Sequence, residues 1–254
     1  MNTINAVSGG LWIRHAVQLF RKKPFEVLFS FMGFVFCLLG MLAIPQIGIV
    51  FFMMLAPVLN MGFMHVCRDV DENQAFTPRA LFVGFRTPVF KPLCLLGLLQ
   101  LLALLLSFLL VMAVDGGVIW DFMSNGRMIN EKALLETKVG TSLLLARLFY
   151  FPAMMALWFA APLIMWHGMS VGKAIFYSFF AVWRARVAFI TYFIVWIGIL
   201  FFVPVVLGLI ASLIPGVIGV LNLLLIPILL VVLVVLHCSF YTSYKEIFAR
   251  DDLA

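Results

Sequence analysis

The sequence predicts an all-α integral membrane protein. It should have six transmembrane helices, three amphipathic helices in the cytoplasmic interface, and one membrane domain over 1–254 built as a pseudo-threefold repeat. Three observations carry that expectation. The 254 residues are 65% hydrophobic and 11% charged, with a mean hydropathy of +1.17, too little charge to cover a soluble domain. Six apolar stretches, 25–45, 47–66, 92–114, 143–166, 187–211 and 217–243, supply the length of about 20 residues that crosses roughly 30 Å of hydrocarbon. A short basic amphipathic stretch also leads into every odd-numbered one.

The chain opens on small, polar residues without a charged lead into a short apolar core, so no cleaved signal peptide is expected and the first span should persist. In the first amphipathic stretch, Trp12, Ala16, Leu19 and Phe20 form an apolar stripe at helical spacing. Arg14, Gln18, Arg21 and Lys22 fall opposite, Lys23 follows, and Pro24 opens the span. The second stretch starts with Thr77 as N-cap and Pro78 at the first helical position. Leu81, Phe82 and Phe85 are its apolar side, Arg79 and Arg86 its basic one, and Pro88 ends it. In the third, Ser170 caps a helix with Ile175, Phe176, Phe179, Phe180 and Trp183 on one face. Lys173, Tyr177, Arg184 and Arg186 supply its polar side. All three are too short to span, which places them in the interface with their cations toward anionic headgroups.

The order of amphipathic helix, span, span gives repeats over 10–68, 77–167 and 170–245, the second carrying an external loop at 115–142. The spans echo one another. The turn Ile44-Pro45-Gln46-Ile47-Gly48 corresponds to Ile214-Pro215-Gly216-Val217-Ile218-Gly219. Pro57, His65 and Cys67 then correspond to Pro227, His237 and Cys238, while the middle pair has Pro162 and His167. Proline and glycine are common in transmembrane helices, so the order of elements weighs more than these echoes. In the loop, 130–138 has the Glu and Lys spacing of a short surface helix.

Charge placement sets the expected orientation. With both termini cytoplasmic, only Arg127, Lys132, Lys138 and Arg147 of the 17 Lys and Arg fall outside. Anionic headgroups on the cytoplasmic side then account for the net charge of +6, and nucleic acid is not an expected partner. Cys37, Cys67, Cys94 and Cys238 lie in or beside apolar stretches at no metal or redox spacing, and read as small hydrophobes.

No carboxylate lies mid-membrane, which argues against a proton relay or a carboxylate-dyad hydrolase. Asn60, Gln100, Ser107, Thr191 and Asn222 do lie within the stretches, and interhelical hydrogen bonding is their default role. Asn60 and Gln100 are also the candidates for a polar pathway. His65, His167 and His237 end the even-numbered stretches. Three imidazoles at equal depth around a repeat axis can bind a transition metal, but no carboxylate stands ready to orient them and packing is the simpler role. No phosphate loop, nucleophile elbow or zinc-protease motif occurs, so there is no positive reason to propose an enzyme, and no cofactor is expected.

The run Ala161-Pro162-Leu163-Ile164-Met165-Trp166-His167-Gly168-Met169-Ser170 continues into Val171-Gly172-Lys173-Ala174, Ser178, Ala181, Trp183 and Arg184. With Gly10-Leu11-Trp12 and Phe20-Arg21-Lys22-Lys23-Pro24, it resembles an uncharacterised family of six-span proteobacterial inner-membrane proteins. It is also distantly similar to the membrane domain associated with glycerophosphodiester phosphodiesterases, although the catalytic barrel has no counterpart here. The resemblance implies a Gram-negative inner membrane and no enzymatic activity. The leading expectation is therefore a non-enzymatic inner-membrane protein that interacts with lipids or a partner membrane complex. The alternatives are a small transporter or channel with its pathway along the repeat axis, and a metal or cofactor carrier using the histidines.

Overall fold

The computed structural model describes residues 4–125, 138–213 and 218–248, and every regular element among them is helical. In chain order these are α1 (Ala6–Lys22), α2 (Pro24–Leu42), α3 (Gly48–Asp71), a 3₁₀ turn (Pro78–Phe82), α4 (Val83–Arg86), α5 (Phe90–Asp115) and α6 (Val118–Asn125). They continue with α7 (Val139–Trp158), α8 (Ala160–His167), α9 (Val171–Arg184), α10 (Arg186–Leu213) and α11 (Ile218–Phe248). Six segments are long and apolar enough to cross a membrane: Pro24–Leu42, Gly48–Asp71, Phe90–Asp115, Val139–His167, Arg186–Val206 and Leu223–Phe248. They match the six apolar stretches. Phe201, Phe202, Leu223 and Ile226 are each at least 68% exposed, an arrangement that water would penalise and lipid tails satisfy.

The ends of two spans depart from the sequence expectation. α3 continues past residue 66 to Asp71, and α11 past 243 to Phe248. Apolar runs mark where hydrocarbon ends, but a helix continues wherever protein satisfies its next turns. Here the two extensions bond to each other, Lys245 of α11 donating to the Asp71 carboxylate of α3.

The chain packs as two compact units, one from Met1–Gly40, Leu59–Arg86 and Ala181–Ala254, the other from Met41–Val58 and Thr87–Phe180. In the first, α1 lies against α10 and α11. Trp12, Ala16 and Leu19 are buried, with Trp12 edge-on to Phe189 at 5.1 Å. Gly9 makes the approach possible: a Cβ there would sit 2.2 Å from the Ala188 carbonyl oxygen. The stripe expected to face the membrane interface at α1 therefore faces protein. The second amphipathic segment is a 3₁₀ turn followed by one helical turn. Thr77 precedes it in extended conformation and makes no side-chain cap bond, contrary to expectation. The Leu81 carbonyl lies directly on Gly62 of α3, where a Cβ would be 1.8 Å away.

In the second unit α5 runs along α7 and α8. Ser107 Oγ donates 3.0 Å to the Ala146 carbonyl, the interhelical role expected of it. Thr191, by contrast, turns back to Val187 of its own helix at 3.2 Å. The fourth span breaks at Phe159, ahead of Pro162, which has no N–H to return to the preceding turn. Ser178 of α9 repairs the break. Its hydroxyl accepts from the Phe159 N–H and donates to the Met155 carbonyl, both at 2.9 Å, standing in for the helical bond between those two residues. Gly168, in the left-handed region at φ 62°, then ends α8 and turns the chain into α9.

Between the third and fourth spans, Asp115 accepts from the Gly117 and Ile119 N–H groups at 2.8 and 3.0 Å and launches α6. Residues 126–137, with most of the surface helix expected at 130–138, lie outside the described residues, as do 214–217 of the second echoing turn. A short helical element precedes the first, third and fifth of these spans, and α6 stands between the third and the fourth.

Candidate functional site

The face that α9 turns outward differs from a simple amphipathic helix. Ala174, Ser178 and Val182 are buried, while Phe176, Tyr177, Phe180 and Trp183 are 43–61% exposed. Sequence periodicity had put Phe176, Phe180 and Trp183 on a common face with Ile175 and Phe179, which are only half-buried. The physical reason is that close helix packing in a membrane selects small side chains. The bulky rings are left on the outside, Phe176 and Phe180 4.6 Å apart. Lys173, Arg184 and Arg186 are exposed around them. The Arg186 guanidinium lies 5.5 Å from the Trp183 ring centroid and donates 3.3 Å to its carbonyl, which fixes cation and aromatic together.

A second polar cluster sits in the first unit, where α1, α3 and α11 end. Asp71 is its hub. Lys22 Nζ lies 3.3 Å from Asp71 Oδ1 and 3.0 Å from its carbonyl; Lys245 Nζ and the Tyr241 hydroxyl donate to Oδ2, the latter at 3.3 Å. Lys23 Nζ donates 2.9 Å to the Gln74 carbonyl and pairs with Glu26 at 3.5 Å. Arg68 pairs with Glu72 at 2.8 Å. Lys22 and Lys23 are therefore engaged by protein, whereas Arg14, Arg21, Arg79 and Arg86 are exposed. Asp71 was not legible as a hub. Its partners lie 49, 170 and 174 residues away, and only the packing of α1 and α11 brings them to it.

Two of the three histidines at the span ends have local partners. His65 Nε2 is 3.8 Å from Asp69 Oδ1 on the same helix. His237 Nδ1 is 3.0 Å from the Leu233 carbonyl, and its ring lies 4.9, 5.6 and 6.0 Å from Phe31, Phe34 and Phe63. His65 and His237 belong to the first unit and His167 to the second. Among the described residues, no three His, Cys, Asp or Glu side chains are grouped so as to hold a metal ion. Asn60 and Gln100 likewise fall in different units, both half-buried, and the Tyr150 hydroxyl is within hydrogen-bonding reach of Gln100.

One pair in the first unit was not anticipated. Cys67 and Cys238, both fully buried, bring their sulfurs to 3.8 Å.

Six helices fit to cross a membrane, clad in apolar side chains, define a multi-pass integral membrane protein. A protein of Burkholderia thailandensis named a probable inner membrane protein is 28% identical over 254 residues, covering 98% of this chain and 94% of that one. That near-full-length similarity supports the inner membrane as the location. No protein-family model matches the chain. No solved structure does so either.

Proposed function

We propose that this protein acts without catalysis of its own, engaging anionic lipid headgroups through the basic and aromatic face of α9. The carrying observation is the exposure of Phe176, Tyr177, Phe180 and Trp183 beside Lys173, Arg184 and Arg186. Aromatic rings with an apolar body and a polar edge partition to the membrane–water boundary, and cations next to them meet phosphates there. A partner membrane protein bearing acidic residues is the second candidate for the same face. For Gln100 the reach of Tyr150 favours packing over a transport pathway.

The test compares two triple variants, each purified under mild delipidation. Each Lys or Arg near an anionic surface contributes about 1 kcal/mol, roughly fivefold in partitioning. Lys173→Gln with Arg184→Gln and Arg186→Gln should strip most of the co-purifying phosphatidylglycerol and cardiolipin and leave phosphatidylethanolamine unchanged. Arg21→Gln with Lys22→Gln and Lys23→Gln should do less, because Lys22 and Lys23 already bond to protein. An unchanged anionic share in the first variant would refute the proposal.

A further inference from the structure

We infer that Cys67 and Cys238 form a covalent modification site: a thiol pair that a hydroperoxide oxidises to a disulfide joining α3 to α11. The sulfurs are 3.8 Å apart and both residues are 0% exposed, on different helices of one compact unit. A disulfide bond is about 2.05 Å long, so closure moves the sulfurs together by about 1.8 Å. The helices are already held in register beyond the pair. Asp71, one turn after Cys67, takes hydrogen bonds from Tyr241 and Lys245, which follow Cys238 on α11. Cys37 and Cys94 are only half-buried and belong to different units.

The site's surroundings select its oxidant. Both thiols are 0% exposed, which excludes a bulky anionic thiol such as glutathione, so the oxidant proposed is a small neutral hydroperoxide of the kind that partitions into a bilayer. One thiol attacks the peroxide, its O–O bond breaks, and an alcohol leaves with a sulfenic acid on the sulfur. The second thiol then displaces water as the S–S bond forms. Two thiols are oxidised, one hydroperoxide is reduced to one alcohol and one water, and both thiol protons end in those products.

The full-length protein in detergent is treated with tert-butyl hydroperoxide, denatured with excess N-ethylmaleimide and weighed intact. Of the four cysteines, two should take maleimide and two should be lost as a cross-link. A Cys67–Cys238 peptide that disappears on reduction should be found after digestion. Cys67→Ser and Cys238→Ser should each abolish that peptide. If either variant does not fold, the Cys37→Ser, Cys94→Ser double variant, which keeps the pair, should still cross-link fully. Maleimide on all four wild-type cysteines after oxidation would overturn the inference, showing two thiols that merely pack. So would sulfinic acid at either residue without a cross-link, or a cross-link between other cysteines.

Discussion

At Ser178 a single hydroxyl completes a broken transmembrane helix by inserting between the Phe159 N–H and the Met155 carbonyl. Nothing in the periodicity of α9 marks it, because serine on a helix is as often solvated. Only the break upstream of Pro162 gives it a task. Ser178→Ala leaves a buried donor and a buried acceptor unmet, and should lower the unfolding free energy by about 1–3 kcal/mol. Chemical unfolding in micelles checks this, and a change below about 0.5 kcal/mol would mean that the break satisfies itself. Asp71 makes a softer contribution, since its lysine partners are 41% and 56% exposed at the side chain. Exposed pairs are worth at most about 1 kcal/mol and are screened by salt. Wild-type stability should therefore fall slightly between 0.1 and about 1 M salt, a dependence that Asp71→Asn should flatten. The histidines show where residue-level reading ended. Their recurrence at span ends was plain in the sequence, but Asp69, Leu233 and the Phe31, Phe34 and Phe63 rings claim two of them locally.

The six spans were legible because hydrocarbon imposes a length and a composition that nothing else in the chain shares. What the short helices do with their apolar faces was not. Trp12, Ala16 and Leu19 look alike whether they dip into lipid or pack on α10 and α11, and the deciding residue is Gly9, whose missing side chain lets the backbones meet. Gly9→Leu should push α1 off α10 and loosen the Lys22–Asp71 anchor at its far end. Overpacking of this kind costs typically about 1–3 kcal/mol. Trypsin should then cut after Arg21 or Lys22 well before it does so in the wild type. Equal protection would show that α1 is held by its other contacts. In α9 the periodicity put Phe176, Phe180 and Trp183 on one face with Ile175 and Phe179 and set Tyr177 opposite, whereas Tyr177 is exposed with the first three; Ala174 and Ser178, the small residues between them, are the packing side.

Across the whole molecule, short helical elements precede the first, third and fifth spans, but α6 interrupts the middle pair and residues 214–217 of the second echoing turn lie outside the described residues, so the threefold repeat stays an expectation of the sequence. Net basic character was readable from composition; its partition between cations committed to protein and cations left at the surface needed the fold. Lipid engagement by α9 rests on all six crossings being real, because an even count between Lys22 and Lys245 places both on one side with Lys173, Arg184 and Arg186. Asn73 lies between the second and third spans and Ser124, itself exposed on α6, between the third and fourth. Cysteines placed at these two positions in a cysteine-free background should respond oppositely to an impermeant maleimide applied to intact spheroplasts. Ser124→Cys should label rapidly, and Asn73→Cys only after lysis. Labelling of Asn73→Cys from outside, or protection of Ser124→Cys, would contradict the six crossings.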